Sequence, residues 1–309
     1  MQQPVRAQKP SAVYRNFAMD SARWDKLQPR EGDIIICTPP KCGTTWMQMI
    51  CALLIFQKPE LDRPLSDYSP WLDMLIAPIE DVAGLLERQT HRRFIKTHTP
   101  FDGLPYYPGT AYFCVGRDPR DVFMSMDNQV GNASPEFMMR MAKNMKPGDA
   151  PPPPMIKDMR ERFRAWIASL LTPESCLNPM MMPVQPYIQG FWEYRHLPNI
   201  HFVHYSDLQR DLDGEMRRIA KILGITVAEA LWPQLVSAAQ FDTMKDNAAA
   251  LAPDAKTGIW RDPTRFFNKG ETGQWLGTLG PDELAAYAAA LAALPPELGK
   301  WIESGRGGR

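Results

Sequence analysis

The stretch from Asp33 to Trp46 restricts this chain more than any other. Four apolar residues, Ile34-Ile35-Ile36-Cys37, run without alternation into Thr38-Pro39-Pro40-Lys41-Cys42-Gly43-Thr44-Thr45-Trp46. A continuous β-branched run predicts a strand buried on both faces, the habit of parallel sheets. The Pro-Pro pair bars a helix until Lys41, so a helix is expected from about Gly43 through Phe56. In such a strand–loop–helix unit the amides of Gly43, Thr44, Thr45 and Trp46 have no intrahelical acceptors and lie at the positive end of the helix dipole. Gly43 admits an anion close to the backbone, the threonines add hydroxyl donors, and Lys41 adds a full charge at the mouth. An anion-binding loop is the expected result. A buried strand and core helix with an incidental lysine at the turn is the plainer alternative.

The loop is P-loop-like without being a triphosphatase loop. In G-x-x-x-x-G-K-[ST] the lysine follows the last glycine and precedes the hydroxyl that holds Mg²⁺, whereas Lys41 comes two residues before Gly43. The order Pro-Lys-Cys-Gly-Thr-Thr-Trp resembles the phosphosulfate loop, P-K-[ST]-G-[TS]-[TS]-W, of the sulfotransferases that use 3′-phosphoadenosine 5′-phosphosulfate (PAPS). Cys42 stands where Ser is commoner.

The 309 residues, 44% of them hydrophobic and 10% aromatic, supply ample material for a core. Thirty-five basic and thirty-five acidic side chains cancel, which argues against a nucleic-acid-coating or polybasic protein, so any anion site is local. The start, Met1–Pro10, lacks an apolar signal core, and the apolar run Met47–Phe56 falls far short of the roughly 20 residues that span a bilayer. A cytoplasmic location is expected. The five cysteines, Cys37, Cys42, Cys51, Cys114 and Cys176, have no metal-ligand spacing and read as reduced core thiols.

Along the chain, Ser11–Gln28 reads as an entry helix burying Trp24 and Leu27. Tyr68 and Trp71 follow in a proline-punctuated stretch and, with Phe101, are candidates for an apolar acceptor pocket, core roles being the alternative. A second strand, Arg93–His98, places Lys96 and His98 two apart on one face, at the strand end that opens into the ligand crevice of an α/β sheet. A third strand, Ala111–Gly116, delivers Arg117 to a strand tip. Asp118 and Pro119 then start a helix that carries Ser125 about two turns in. Arg117 and Ser125 suit a phosphate, with an Arg117–Asp121 surface pair as the alternative. Residues 138–186 are rich in Met and Pro, including Pro147-Gly148-Asp149-Ala150-Pro151-Pro152-Pro153-Pro154 and Pro179-Met180-Met181-Met182-Pro183. They read as an acceptor lid around a helix, Ile156–Leu171, with passive surface loop as the competing view. A fourth strand ends at Tyr205, whose ring suits stacking on a base. The Gly-Arg-rich tail, 303–309, is expected to be flexible.

These segments resemble, in order, the motifs of the cytosolic-type PAPS sulfotransferases over nearly the whole chain, and in wording come nearest the actinobacterial members assigned to glycolipid sulfation. Arg117-Asp118-Pro119-Arg120-Asp121 with Ser125 resembles the 3′-phosphate motif, and Tyr205-Ser206-Asp207-Leu208 the adenine-contacting one. Phe241 and Met244 fall in the segment that closes over adenine. Phe267-Asn268-Lys269-Gly270, within Phe266–Trp275, resembles the loop R-K-G-x-x-G-D-W that caps the 3′-phosphate. Asn268 replaces its Arg and Gln274 its Asp, and the missing guanidinium should weaken phosphate capture unless Arg265 or Arg261 compensates. The family dimer motif K-x-x-x-T-V is not evident, so oligomeric state is left open.

The resemblance implies one α/β domain, 1–309, with a central parallel sheet flanked by helices. It implies sulfuryl transfer from PAPS to a hydroxyl of a partly apolar acceptor, an alcohol, phenol or glycolipid, leaving adenosine 3′,5′-bisphosphate. His98 would be the base, Lys41 would meet the bridging oxygen, and Lys96 would steady the sulfuryl oxygens. No metal, nucleic-acid partner or transmembrane segment is expected, though transient contact with a membrane surface is compatible. A nucleotide-dependent kinase, or a non-catalytic nucleotide- or lipid-binding protein, remain the alternatives.

Overall fold

The computed structural model describes residues 8–129, 131–146, 151, 154–176, 178, 181–253 and 258–307. Within the expected lid, Pro147-Gly148-Asp149-Ala150, Pro152-Pro153 and Pro179-Met180 lie outside the described residues.

Four parallel strands, β1 (Ile34–Cys37), β2 (Phe94–Thr97), β3 (Ala111–Gly116) and β4 (Ile200–His204), form one sheet in the order β2-β1-β3-β4. Their register sets Ile36 beside both Lys96 and Phe113, and Val115 beside Val203. Because β1 sits between β2 and β3, the strand order reverses there, and ligands of α/β sheets bind at that switch point beyond the strands' carboxyl ends. The first half of the chain adds α1 (Thr44–Phe56), α2 (Leu65–Tyr68), α3 (Ile79–Arg88), α4 (Pro119–Asp127) and α5 (Pro135–Ala142). The second half adds α6 (Met159–Ile167), α7 (Val184–Trp192), α8 (Tyr205–Arg210), α9 (Leu212–Leu223) and α10 (Trp232–Ala238). The short α11 (Phe241–Asp246) and α12 (Ala248–Leu251) precede α13 (Pro281–Ala292) and α14 (Pro296–Ser304).

Side-chain alternation along the strands divides the core in two. Ile34, Ile36, Phe94, Phe113 and Val115 pack with the apolar residues of α1, α9 and α10. Ile35, Cys37, Ile95, Tyr112 and Cys114 pack on the other face with α4, α6, α7 and α14. All five cysteines are buried and free.

Two expectations are corrected. The entry helix shrinks to a 3-10 turn, Ser21–Lys26, although Trp24 and Leu27 are buried. Upstream, the Asn16 side chain accepts from the amides of Ala18 and Met19, and Met19 bridges to Met74, so these amides are taken before a helix can use them. The tail is docked through residue 307: the Arg306 amide donates to Asp207 at 3.0 Å and its guanidinium pairs with Asp207 and Glu215. Two carboxylates on α8 and α9 hold a segment whose composition reads as loose.

Candidate active site

The loop after β1 is held open by its backbone. Lys41 and Gly43 both have positive φ, 65° and 101°, and a side chain at Gly43 would put its Cβ 3.1 Å from the Tyr205 ring. The amides that open α1 therefore face outward from an uncapped end, with Gly43 at the N-cap making no side-chain bond. The hydroxyls of Thr38 and Thr44 meet at 2.6 Å, whereas the buried Thr45 hydroxyl has no hydrogen-bond partner.

Arg117, at the tip of β3, crosses to this loop. Its Nη1 donates to the Lys41 carbonyl at 3.1 Å, its Nη2 donates to the Glu271 carbonyl at 3.0 Å, and its plane lies 4.1 Å over the Tyr205 ring. The Arg117–Asp121 pair does not form, because Asp121 instead accepts from the amides of Gly273 and Gln274, both at 2.9 Å. The buried Arg117 Nε has no partner. Two orphaned donors, Thr45 Oγ1 and Arg117 Nε, beside an open row of amides fit an anionic ligand with several acceptor oxygens.

His98 lies just beyond β2, buried at 7% exposure, and its Nδ1 donates to the Thr38 carbonyl at 2.6 Å. That bond leaves Nε2 as the unprotonated nitrogen. Burial, with smaller contributions from the Lys96 and Lys41 charges, pulls the imidazole down to about 4, so it is neutral near pH 7. Burial and the Arg117 charge likewise pull the Lys41 ammonium down to about 7. The Lys96 ammonium stands 4.4 Å over the Trp71 ring, which also meets the His98 ring edge-on at 4.8 Å. A neutral imidazole and a lysine whose charge burial disfavours therefore share one cleft, where an incoming negative charge would favour the lysine's charged form.

Lys41, Lys96, His98, Gly43–Trp46, Arg117 and Ser125 all line one cavity of about 820 Å³. Tyr205, Phe241, Met244, Phe267, Asn268 and Gly270 line it too. The aromatic end is tied together: Trp46 donates to the Ala239 carbonyl at 2.9 Å and meets the Tyr205 ring edge-on at 5.1 Å. Gly270 makes the closure possible, since a Cβ there would fall 2.5 Å from the Phe241 ring.

Four expected site residues stand elsewhere. The Cys42 thiol is buried in the core, pushed up to about 12 by burial, so only its backbone belongs to the loop. Lys269 is exposed and does not line the cavity. Tyr68 is buried against Phe56 and His91, on the α1 side of the sheet. Phe101 is buried among Tyr106, Tyr112, Phe191 and Tyr194. Both aromatics are core residues, and of the three proposed acceptor contacts Trp71 alone reaches the cavity. Arg261 lines the cavity, while Arg265 lines a separate pocket of about 280 Å³ with Lys245, Asn128 and Asn268.

Sequence reasoning missed Asp73. This buried carboxylate accepts from Thr97 Oγ1, from Thr99 Oγ1 at 2.7 Å and from Trp24 Nε1 at 3.1 Å, clamping the residues on either side of His98. Burial raises its pKa. Nothing in the spacing of Trp71-Leu72-Asp73 marks it, since its partners come from other segments.

Fold and cleft set a strand–loop–helix with an open row of amides at the switch point of a parallel α/β sheet, beside a buried neutral histidine at the neighbouring strand end. The chain belongs to the sulfotransferase family: the sulfotransferase domain model matches residues 31–293. It is 40% identical over 311 residues to a glycolipid sulfotransferase of Mycobacterium bovis BCG, covering 96% of this chain and 95% of that one. A Mycobacterium tuberculosis glycolipid sulfotransferase is likewise 40% identical, and rat sulfotransferase 1 family member D1 is 25% identical, over 85% and 83% of the two chains. The fold matches a mouse sulfotransferase solved in complex with PAP, with a TM-score of 0.66, 18% identity and 91% of each chain covered. A retinol dehydratase in complex with androsterone and PAP also gives a TM-score of 0.66, at 20% identity over 89% and 85%. The protein is thus a sulfotransferase. Among the described residues no helix is long and apolar enough to cross a membrane.

Proposed function

We propose that this sulfotransferase uses PAPS and transfers to the hydroxyl of a partly apolar lipid-like acceptor, a glycolipid being the class its mycobacterial relatives carry in their names. PAPS when bound would supply the sulfuryl group and a phosphate leaving group. The single observation that carries the reading is His98 lining the same cavity as Lys41 with its Nδ1 committed to the Thr38 carbonyl, which supports Nε2 as the group that takes the acceptor's proton. The amides of Gly43–Trp46, Thr45 Oγ1 and Lys41 would hold the 5′ side, with Lys41 set to oppose charge growing on departure. Lys96, steadied on Trp71, adds a cation beside His98. Arg117 and Ser125 would hold the 3′-phosphate, and Tyr205, Phe241, Met244 and Phe267 would enclose the base. Asn268 cannot replace an arginine there, but Lys245 donates to its carbonyl at 2.9 Å and Arg265 stands on the same small pocket, so two cations are at hand. The chemistry needs no metal on this reading, and buried reduced thiols support a cytoplasmic setting.

Calorimetric titration with adenosine 3′,5′-bisphosphate, against 5′-AMP and in EDTA, tests the cofactor. Tight binding that requires the 3′-phosphate is expected. Equal or absent binding of both nucleotides would remove the roles given to Arg117 and Ser125.

A further inference from the structure

Apolar side chains from separate segments that line the cavity are left exposed to water. Met138 projects from α5, Met155 precedes α6 and Leu170 follows it; they are 41%, 58% and 74% exposed, and all three line the cavity. Met139, 63% exposed, stands beside Met138 without lining it. α5 buries Phe137 and Met141, Met139 lies on the opposite side of that helix, and Met138 stands at the edge between them, 41% exposed. Single exposed apolar residues are ordinary, but a cluster at the mouth of an apolar cavity marks a contact surface.

Charge selects the partner. The chain as a whole is neutral, yet residues 135–171 carry seven basic and four acidic side chains. Arg162 pairs with Asp127 and Arg164 with Glu283, while Lys143 and Lys157 are exposed near the methionines in sequence, as are the acids Glu136, Asp158 and Glu161. Exposed apolar tips on a stretch with a net basic balance suit an anionic bilayer surface: the tips enter the acyl boundary while the ammonium groups stay at headgroup level.

We infer that this rim docks on anionic lipid bilayers and that the acceptor passes from the bilayer into the cavity between Met138, Met155 and Leu170. The inference rests on the lipid-acceptor reading above. It gives the exposed methionines a task that a water-borne acceptor would not require.

Co-sedimentation of the full chain with large vesicles tests it, without nucleotide or acceptor. Vesicles of phosphatidylcholine with about one third phosphatidylglycerol should carry the protein down, pure phosphatidylcholine should do so about tenfold less well, and salt should weaken the binding. The double variant Met139→Asp, Lys143→Glu should lose about tenfold in vesicle affinity and keep its turnover of a dispersed short-chain acceptor. No sedimentation with either vesicle, or binding indifferent to the double variant, would overturn docking. So would light scattering that showed a dimer abolished by that variant in place of vesicle binding, since the rim would then belong to a second copy. Absence of turnover on every dispersed acceptor, with vesicle binding intact, would instead strike at the acceptor reading.

Discussion

The cavity has two walls, and they are built by different means. The polar wall comes from strand ends, with side chains tied to main chain a few ångströms away: His98 to the Thr38 carbonyl at 2.6 Å, Arg117 to the Lys41 carbonyl at 3.1 Å. The apolar wall gathers Phe17, Met74, Met126, Phe137, Trp166 and Trp260 from segments scattered over the chain. The contrast teaches where precision is needed. Charged groups depend on close placement, which a sheet register supplies; an apolar ligand needs only an adaptable apolar surface, which Met supplies.

Breaking the polar wall should have the largest effect. His98→Ala should lower turnover by about two to four decades with the fold intact, measured as kcat against circular dichroism. The wild-type kcat/KM should reflect the depressed groups: His98 is neutral above about 4, so the acid limb falls toward that value rather than near 6.5. Lys41 loses its charge as pH rises through about 7, so an alkaline limb should appear there and move away in Lys41→Arg, whose guanidinium stays charged. A profile flat from pH 5 to 9 would separate Lys41 from the chemistry, and an acid limb near 6.5 would count against a depressed His98 as the base.

A pair of aromatic truncations sharpens the difference between lining and core. Trp71→Ala should cost about one to two decades in kcat/KM, by freeing Lys96 and His98, with little change in the urea midpoint. Phe101→Ala should do the reverse, costing about 3–5 kcal/mol of stability while leaving the acceptor KM of the folded fraction alone. An acceptor KM raised by Phe101→Ala would return that residue to the pocket.

The smallest expected effect lies where the two walls meet the nucleotide cap. Asn268→Arg should tighten adenosine 3′,5′-bisphosphate by about tenfold in titration, one charge-assisted bond's worth, without altering 5′-AMP. No change would mean that Lys245 and Arg265 already serve that phosphate.

Local chemistry explains which parts were legible. The four strands, the helix after Gly43 and the Asp118 cap are set by short runs, by proline and by a capping carboxylate that accepts from Arg120 at 2.8 Å. The entry helix and the loose tail were misread because Asn16 and the Asp207–Glu215 pair act on backbone and side chains from outside the local pattern.

By itself the sequence determined the anion loop, the same-face placement of Lys96 and His98, and the strand tip that bears Arg117, since each follows from the period of a strand or the start of a helix. Tertiary structure alone decided that Tyr68 and Phe101 are core and Trp71 is not, that Cys42 turns inward, and that Asp73 clamps the threonines flanking His98. An aromatic or an acid in an irregular segment carries no period, so only the elements that close over it determine whether it meets the cavity or the core.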